Sequence, residues 1–303
     1  AGAMTSTGSS ITIDLGAADS GTESLILGGT TTASPAIAIS DTGAGQTTLN
    51  AGGSVSAGTT LTIVTSDGAD DIDFAGSLSA AGTLTLDTNA GSDAVDSIDG
   101  ATITSTTANV LIDLGADDSG AEVVSLGGAI NAATDLTVTD TGAGSTSLTV
   151  GGSMISGGTL SVLTSDGADM LRFEGALQSA AALTINTARG GDQVTTVTGA
   201  TVTSSGAQVL IDLGAADSGT ETVTLGGTVQ AATSLTISDT GAGQTTLTAQ
   251  GALIAGTVLD IDTSDGADLI RFEGSLQAQD EVTLHSAAGA DDVTSVSGTV
   301  TSV

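Results

Sequence analysis

Short runs of alternating apolar and polar residues follow one another along the whole chain, each closed by a turn rich in Gly, Ser, Asp or Thr. In LSAAGTLTLDTNAGSDAVDSIDGA (78–101) the alternation predicts three strands, LSA, TLTLD and AVDSI. Every second side chain in each would face a core, which is the period of a sheet buried on one side. No window holds apolar residues at helical spacing, and the abundance of Gly and β-branched residues opposes helix. The expected elements are therefore strands alone.

The pattern repeats at two scales. VLIDLGADDSGAEVVSLGG at 110 returns as VLIDLGAADSGTETVTLGG at 209 and precedes both as ITIDLGAADSGTESLILGG at 11. Ile13, Ile112 and Ile211 are each 99 residues apart. The chain of 303 residues is thus one unit of three repeats, 3–101, 102–200 and 201–299. Each repeat divides into four segments of 28, 24, 23 and 24 residues, beginning in the second repeat at Thr102, Ile130, Met154 and Leu177. Three strands per segment and a period near 24 predict a β-solenoid, a parallel β-helix of about 12 coils. At a strand spacing of about 4.8 Å the coils would make a rod roughly 58 Å long. One expected inward column runs Leu61, Leu84, Val110, Leu136, Leu160, Leu183, Val209, Leu235. A second begins Val55, Leu78, Ile103, Ile130, Met154, Leu177, and Phe74, Phe173 and Phe272 would enter the core once per repeat.

Aligning the third strands on their first inward residue (Leu25, Leu49, Ile72, Val95 and so on) exposes two further columns. Four residues back, all twelve positions are glycine, from Gly21, Gly45, Gly68 and Gly91 to Gly289. Such a column requires either positive φ or a tight backbone approach. Two residues back stand Glu23, Thr47, Asp70, Asp93, then Glu122, Thr146, Asp169, Asp192, then Glu221, Thr245, Asp268, Asp291. Stacked coils would bring these acids to roughly 5 Å, where like charges repel by about 1 kcal/mol in water and more at lower dielectric. Two readings follow: cations sit between the rungs, or the ladder is a solvated edge that prevents aggregation.

Charge sharpens the choice of partners. The formal net charge is -32, with three Arg, no Lys and one His. Nucleic acid, whose phosphates need basic residues, is excluded as a partner, and so are anionic membranes; cations or plain solubility are favoured. No apolar run is long enough for membrane insertion. No Cys is present, which removes disulfides and thiolate metal sites. The start, AGAMTSTGSS, has neither a basic nor an apolar stretch, so the chain reads as a fragment beginning directly in the repeat.

The turn strings GADDI (68), GADML (167), GADLI (266), GGDQV (190) and GADDV (289) resemble the second half of the nonapeptide of the RTX family of secreted proteins. That resemblance implies Ca²⁺ held between coils, and carries over to Asp70, Asp93, Asp169, Asp192, Asp268 and Asp291, with Asp67, Asp166 and Asp265 as added oxygen donors. The leading half of the RTX repeat is missing. GSLSAAGTLTLDTNAG (76–91) and GSMISGGTLSVLTSDG (152–167) are similar to coils of filamentous-haemagglutinin-like adhesins and other giant repetitive bacterial surface proteins. This second resemblance spans nearly the whole chain. It implies a right-handed parallel β-helix at the cell surface or outside the cell.

Catalysis is not expected. The carboxylates recur with the fold, the lone His285 occupies an outward column with Asn186 and Asp87, and no nucleophile–base set or phosphate loop is present. DLGADDSG and SDTGAG read as acidic turns. Arg189 follows Asp166 by one coil, which predicts a cross-coil ion pair; Arg172 with Glu174 and Arg271 with Glu273 should pair on the outside. The outward Thr column is interrupted by Leu111, Leu210 and Asp260, against an ice-binding face. The expected function is a shaft, spacer or fibre segment whose partners are further repeats or head-to-tail copies. The alternative is an adhesin binding a glycan or surface receptor through one face.

Overall fold

The computed structural model describes residues 2–17, 20–115, 119–215, 218–296 and 299–302. The centres of the acidic turns at 18–19, 116–118 and 216–217, including part of DLGADDSG, lie outside the described residues. Among the described residues are 37 strands and no helix. Every third strand pairs in parallel, which builds three sheets of 13, 12 and 12 strands. Each coil gives one strand to each sheet; coil 7, for example, is Met154–Ser156, Leu160–Leu163 and Met170–Phe173. Twelve full coils stack, and Val300–Ser302 begins a thirteenth. The protein is a β-solenoid.

The register follows the apolar columns. In the first sheet Val55, Leu78, Ile103, Ile130, Met154 and Leu177 are successive partners. In the second, Leu61 to Leu235 align over eight coils without a slip. A one-residue slip would turn every inward side chain outward, so burial on one face locks the pairing. The first-sheet steps from Ile103 to Ile130, Met154, Leu177 and Val202 are 27, 24, 23 and 25 residues. The repeat therefore registers on Ile103 and Val202, one residue beyond the start expected from the segment pattern. Phe74, Phe173 and Phe272 are all buried in a core of Leu, Ile, Val and Ala.

The glycine column answers to close approach. A Cβ on Gly68, Gly144 or Gly266 would overlap the carbonyl oxygen of the glycine one coil earlier, Gly45, Gly120 or Gly243. A second glycine stack, unmarked by the sequence reading, closes the turn from third to first strand: Gly53 lies on Gly29, Gly152 on Gly128 and Gly251 on Gly227. Side chains at either turn would push the coils apart and open the ladders.

Candidate functional site: a buried acid and hydroxyl spine

The turn from second to third strand carries the column of acids, and the structure turns it inward. Asp70, Asp93, Glu122, Asp169, Asp192, Glu221 and Asp268 are each 2 % exposed or less, and Asp291 in the last full coil is half-buried. The expectation of a solvated edge is overturned. The column continues the inward alternation of the third strand (Asp169, Leu171, Phe173), so the period that buries Leu also buries the acid.

What these carboxylates do is visible in their hydrogen bonds. Asp70 Oδ1 accepts the Thr47 backbone N–H at 2.6 Å, and Asp93 Oδ1 accepts that of Asp70 at 2.9 Å. The second repeat rebuilds the pair: Asp169 Oδ1 takes Thr146 N–H at 2.7 Å, and Asp192 Oδ1 takes Asp169 N–H at 3.0 Å. The third does so again with Asp268 on Thr245 (2.9 Å) and Asp291 on Asp268 (3.1 Å). Each acid thus reaches back one coil and satisfies a peptide donor where the turn interrupts the backbone ladder. A buried N–H without an acceptor costs about 1–3 kcal/mol.

Hydroxyls complete the spine. In coil 7 Thr164 Oγ1 donates to Asp169 Oδ2 at 2.5 Å, and Thr263 repeats this with Asp268. Ser66, Ser165 and Ser264 donate to the stacked glycine carbonyls of Gly45, Gly144 and Gly243 at 2.8–2.9 Å. A second set of buried acids, Asp41, Asp140 and Asp239, was missed by the sequence reading. Each accepts the hydroxyl of Thr47, Thr146 or Thr245 on Oδ2 at 2.6–2.8 Å. Each also accepts a glycine N–H two residues on, from Gly43, Gly142 or Gly241. A signal for them was present. Leu136, Val138 and Asp140 alternate inward, as do Ile37, Ile39 and Asp41.

The arginines lie outside the inward-facing columns. Arg172 and Arg271 lie on the outer surface, where their Nε atoms meet Glu174 and Glu273 at 3.0 and 2.9 Å as expected. Arg189 is exposed too. The expected ion pair with Asp166 does not form: the two line a shallow recess together with Asp212 and are not within ion-pair distance. Burial accordingly pushes the Asp169 carboxyl up to about 7. The Thr164 hydroxyl and Thr146 N–H hold it down, and the neighbouring Asp192 and Asp140 push it further up. Asp70 is raised by the same burial, opposed by Thr65, the Thr47 N–H and Ser66.

The nine acids singled out for calcium fall into two groups. Asp70, Asp93, Asp169, Asp192, Asp268 and Asp291 point inward, whereas Asp67, Asp166 and Asp265, on the same turns, are exposed. Calcium takes about six to eight oxygens facing one point. Here Oδ1 of each inward Asp faces a peptide N–H, and the second oxygen of Asp169 and Asp268 faces a hydroxyl proton. Among the described residues no three His, Cys, Asp or Glu side chains gather around a common centre. In this arrangement Oδ1 of each inward carboxylate serves as a hydrogen-bond acceptor between coils.

No protein-family model matches this chain, and no characterised protein or solved structure does. No helix among the described residues is long and apolar enough to cross a membrane.

Proposed function

We propose that the chain is a structural segment, a shaft, spacer or fibre portion, of a larger secreted or cell-surface bacterial protein. Its partners are further repeats of the same protein, continued in the chain or stacked head to tail. The observation that supports this reading is which positions recur. At 99-residue intervals four buried residues around this turn return unchanged: Thr65, Ser66, Asp70 and Phe74 become Thr164, Ser165, Asp169 and Phe173, then Thr263, Ser264, Asp268 and Phe272. The strand between them changes on its outer face, from Asp71-Ile72-Asp73 to Met170-Leu171-Arg172 to Leu269-Ile270-Arg271. A glycan-binding or catalytic face would keep its outer residues. A shaft keeps its inner ones, because the parallel ladders and the acid–hydroxyl spine hold it rigid.

Pulling the chain end to end by force spectroscopy tests the mechanical role. The expected result is resistance to extension released in cooperative steps of one repeat. Soft, gradual extension would sink the shaft reading. Saturable binding of the isolated chain on a glycan array would favour the adhesin instead. Thermal unfolding in chelator and then in millimolar Ca²⁺ separates a hydrogen-bonded spine, which shows no calcium-specific shift, from a calcium ladder, which shows a large one.

A further inference from the structure

The outer face of the first sheet is the uncharged side of a strongly charged chain. None of the 35 Asp and Glu residues, and no Arg, lies in its thirteen strands. The second and third sheets carry charge outward, as at Asp113, Asp262, Asp73 and Arg172. In coils 2 to 12 each strand of the first sheet buries its first and third side chains and turns only the middle one outward. Small residues such as Ser153 and Gly157, or Ala176 and Ala180, border it. The result is a flat neutral strip. Depletion of charged residues marks the core of an interface rather than an ordinary surface.

The outward column also reads alike from both ends. Thr203, in coil 9, is flanked by Gln178 and Gln230 in coils 8 and 10. Ile155 and Ile254 follow in coils 7 and 11, Asn131 and Gln277 in coils 6 and 12, Thr104 and Thr301 in coils 5 and 13. Coils 1 to 4 carry only Thr5, Thr32, Ser56 and Ser79. A two-fold interface is self-complementary: what lies above the axis must fit what lies equally far below it. We propose that this strip binds a second copy of the chain, face to face and antiparallel, about a two-fold axis at coil 9. Ile155 then packs on Ile254 twice, and Thr203 meets its own mate. The Gln178 and Gln230 amides meet as donor and acceptor, as do Asn131 and Gln277. Gln277 gives one N–H to Ser275 at 3.0 Å and keeps its second N–H and its oxygen for this contact. Glu174 and Glu273, beside the strip, fall opposite Gly226 and Gly127. Asp135 comes near Asp280 and Glu281 only at the solvated rim, where water and salt screen them. Nine coils span about 43 Å, and five residues across a coil about 16 Å. Over two copies the contact covers about 1,400 Å², enough for a stable, specific interface. Parallel, in-register pairing would leave the symmetric order of the column, and its change at coil 5, without a use. This inference does not depend on the shaft reading.

Sedimentation equilibrium at physiological salt should give a species of about twice the 28.7 kDa chain mass. Thr203→Asp sets two carboxylates against each other at the axis and should raise the dimer dissociation constant about tenfold or more. Thr32→Asp adds the same charge to the same column in coil 2, outside the overlap, and should leave that constant unchanged. Both positions face outward, so circular dichroism should not change. The chain has no cysteine, so orientation can be read by thiol cross-linking. A short bis-maleimide should join Ile155→Cys to Ile254→Cys in a mixture of the two variants. It should join neither variant to itself, because four coils, about 19 Å along the rods, separate like positions. A monomer at all concentrations, or equal weakening by Thr203→Asp and Thr32→Asp, would overturn the proposal. Self-linking of Ile155→Cys would overturn it too, because it indicates parallel, in-register association.

Discussion

Coils 6 and 7 solve one problem in opposite ways. Both must fill the inner side of the turn between second and third strands. Coil 6 places its acid before the turn and its hydroxyl after it, Asp140 and Thr146; coil 7 places the hydroxyl first and the acid second, Thr164 and Asp169. The hydroxyl–carboxylate distance is nearly the same, 2.6 and 2.5 Å. In these two coils one acid and one hydroxyl fill the rung in either order, whereas coils 5 and 9 place the buried Leu114 and Leu213 before the turn and Glu122 and Glu221 after it. The orders differ in what the acid does next. Asp140 caps its own turn through Gly142 N–H, whereas Asp169 reaches back to Thr146 N–H and ties two coils together. The coil 7 order stitches the stack; the coil 6 order rigidifies a single turn.

The largest expected consequence is a dependence on pH. A carboxyl held near 7 in the fold and near 4 when unfolded binds its proton more tightly in the folded state. Stability should therefore rise as pH falls from about 7 to about 4, and Asp169 alone contributes roughly 4 kcal/mol across that window. Asp70, raised for the same reason, adds in the same direction. Urea unfolding between pH 8 and 5 measures the slope, and Asp169→Asn should flatten it. A slope of opposite sign would show that the spine is held as fully ionised carboxylates.

Overfilling the stack comes next. Gly167→Val in coil 7 drives a side chain into the Gly144 carbonyl and should cost about 3 kcal/mol. Gly52→Ala, whose added methyl meets its neighbours at ordinary contact distance of 3.8 Å, should shift the midpoint by under about 0.5 kcal/mol. Equal effects would mean that the glycines serve something other than close stacking.

Exchanging the two orders sharpens the comparison itself. Asp140→Thr leaves the Thr146 hydroxyl and the Gly142 N–H without their acceptor and should cost about 2 kcal/mol. Adding Thr146→Asp recreates the coil 7 order in coil 6 and should recover at least half of that loss. An additive double variant would show that each coil's order is imposed by its own turn. The smallest effect lies at Ala188, which holds φ at 55° in the turn of coil 8. Ala188→Gly should stabilise by about 0.5–1 kcal/mol, read as a small rise in Tm.

Much of the fold was legible because burial on one face writes a period of two, and stacking writes a period near 24. The columns from Val55 and Leu61 could be read as aligned letters, and the structure registers them as such. The direction of the acids was harder. Asp169 and Asp166 lie three residues apart in one acidic string, yet one is buried and the other exposed. Charge suggested solvent or metal for both. The strand alternation, carried through the turn, separates them, and it also marks Asp140 after Leu136 and Val138. Arg189 and Asp166 shared a column but not a contact, since position in a column does not fix the reach of exposed side chains.

Sequence alone determined the strands, the three repeats, the core columns and the glycine column, because each is a local choice repeated at fixed intervals. Only the tertiary structure decided why the glycines are needed and where the acids point. Both depend on what lies one coil away: a carbonyl where a Cβ on Gly68, Gly144 or Gly266 would have to sit, and a peptide N–H within hydrogen-bond reach of Asp70, Asp93, Asp169, Asp192, Asp268 and Asp291. A buried acid is tolerated when a donor from the neighbouring coil meets it, and that neighbour is some 23 residues distant in the chain.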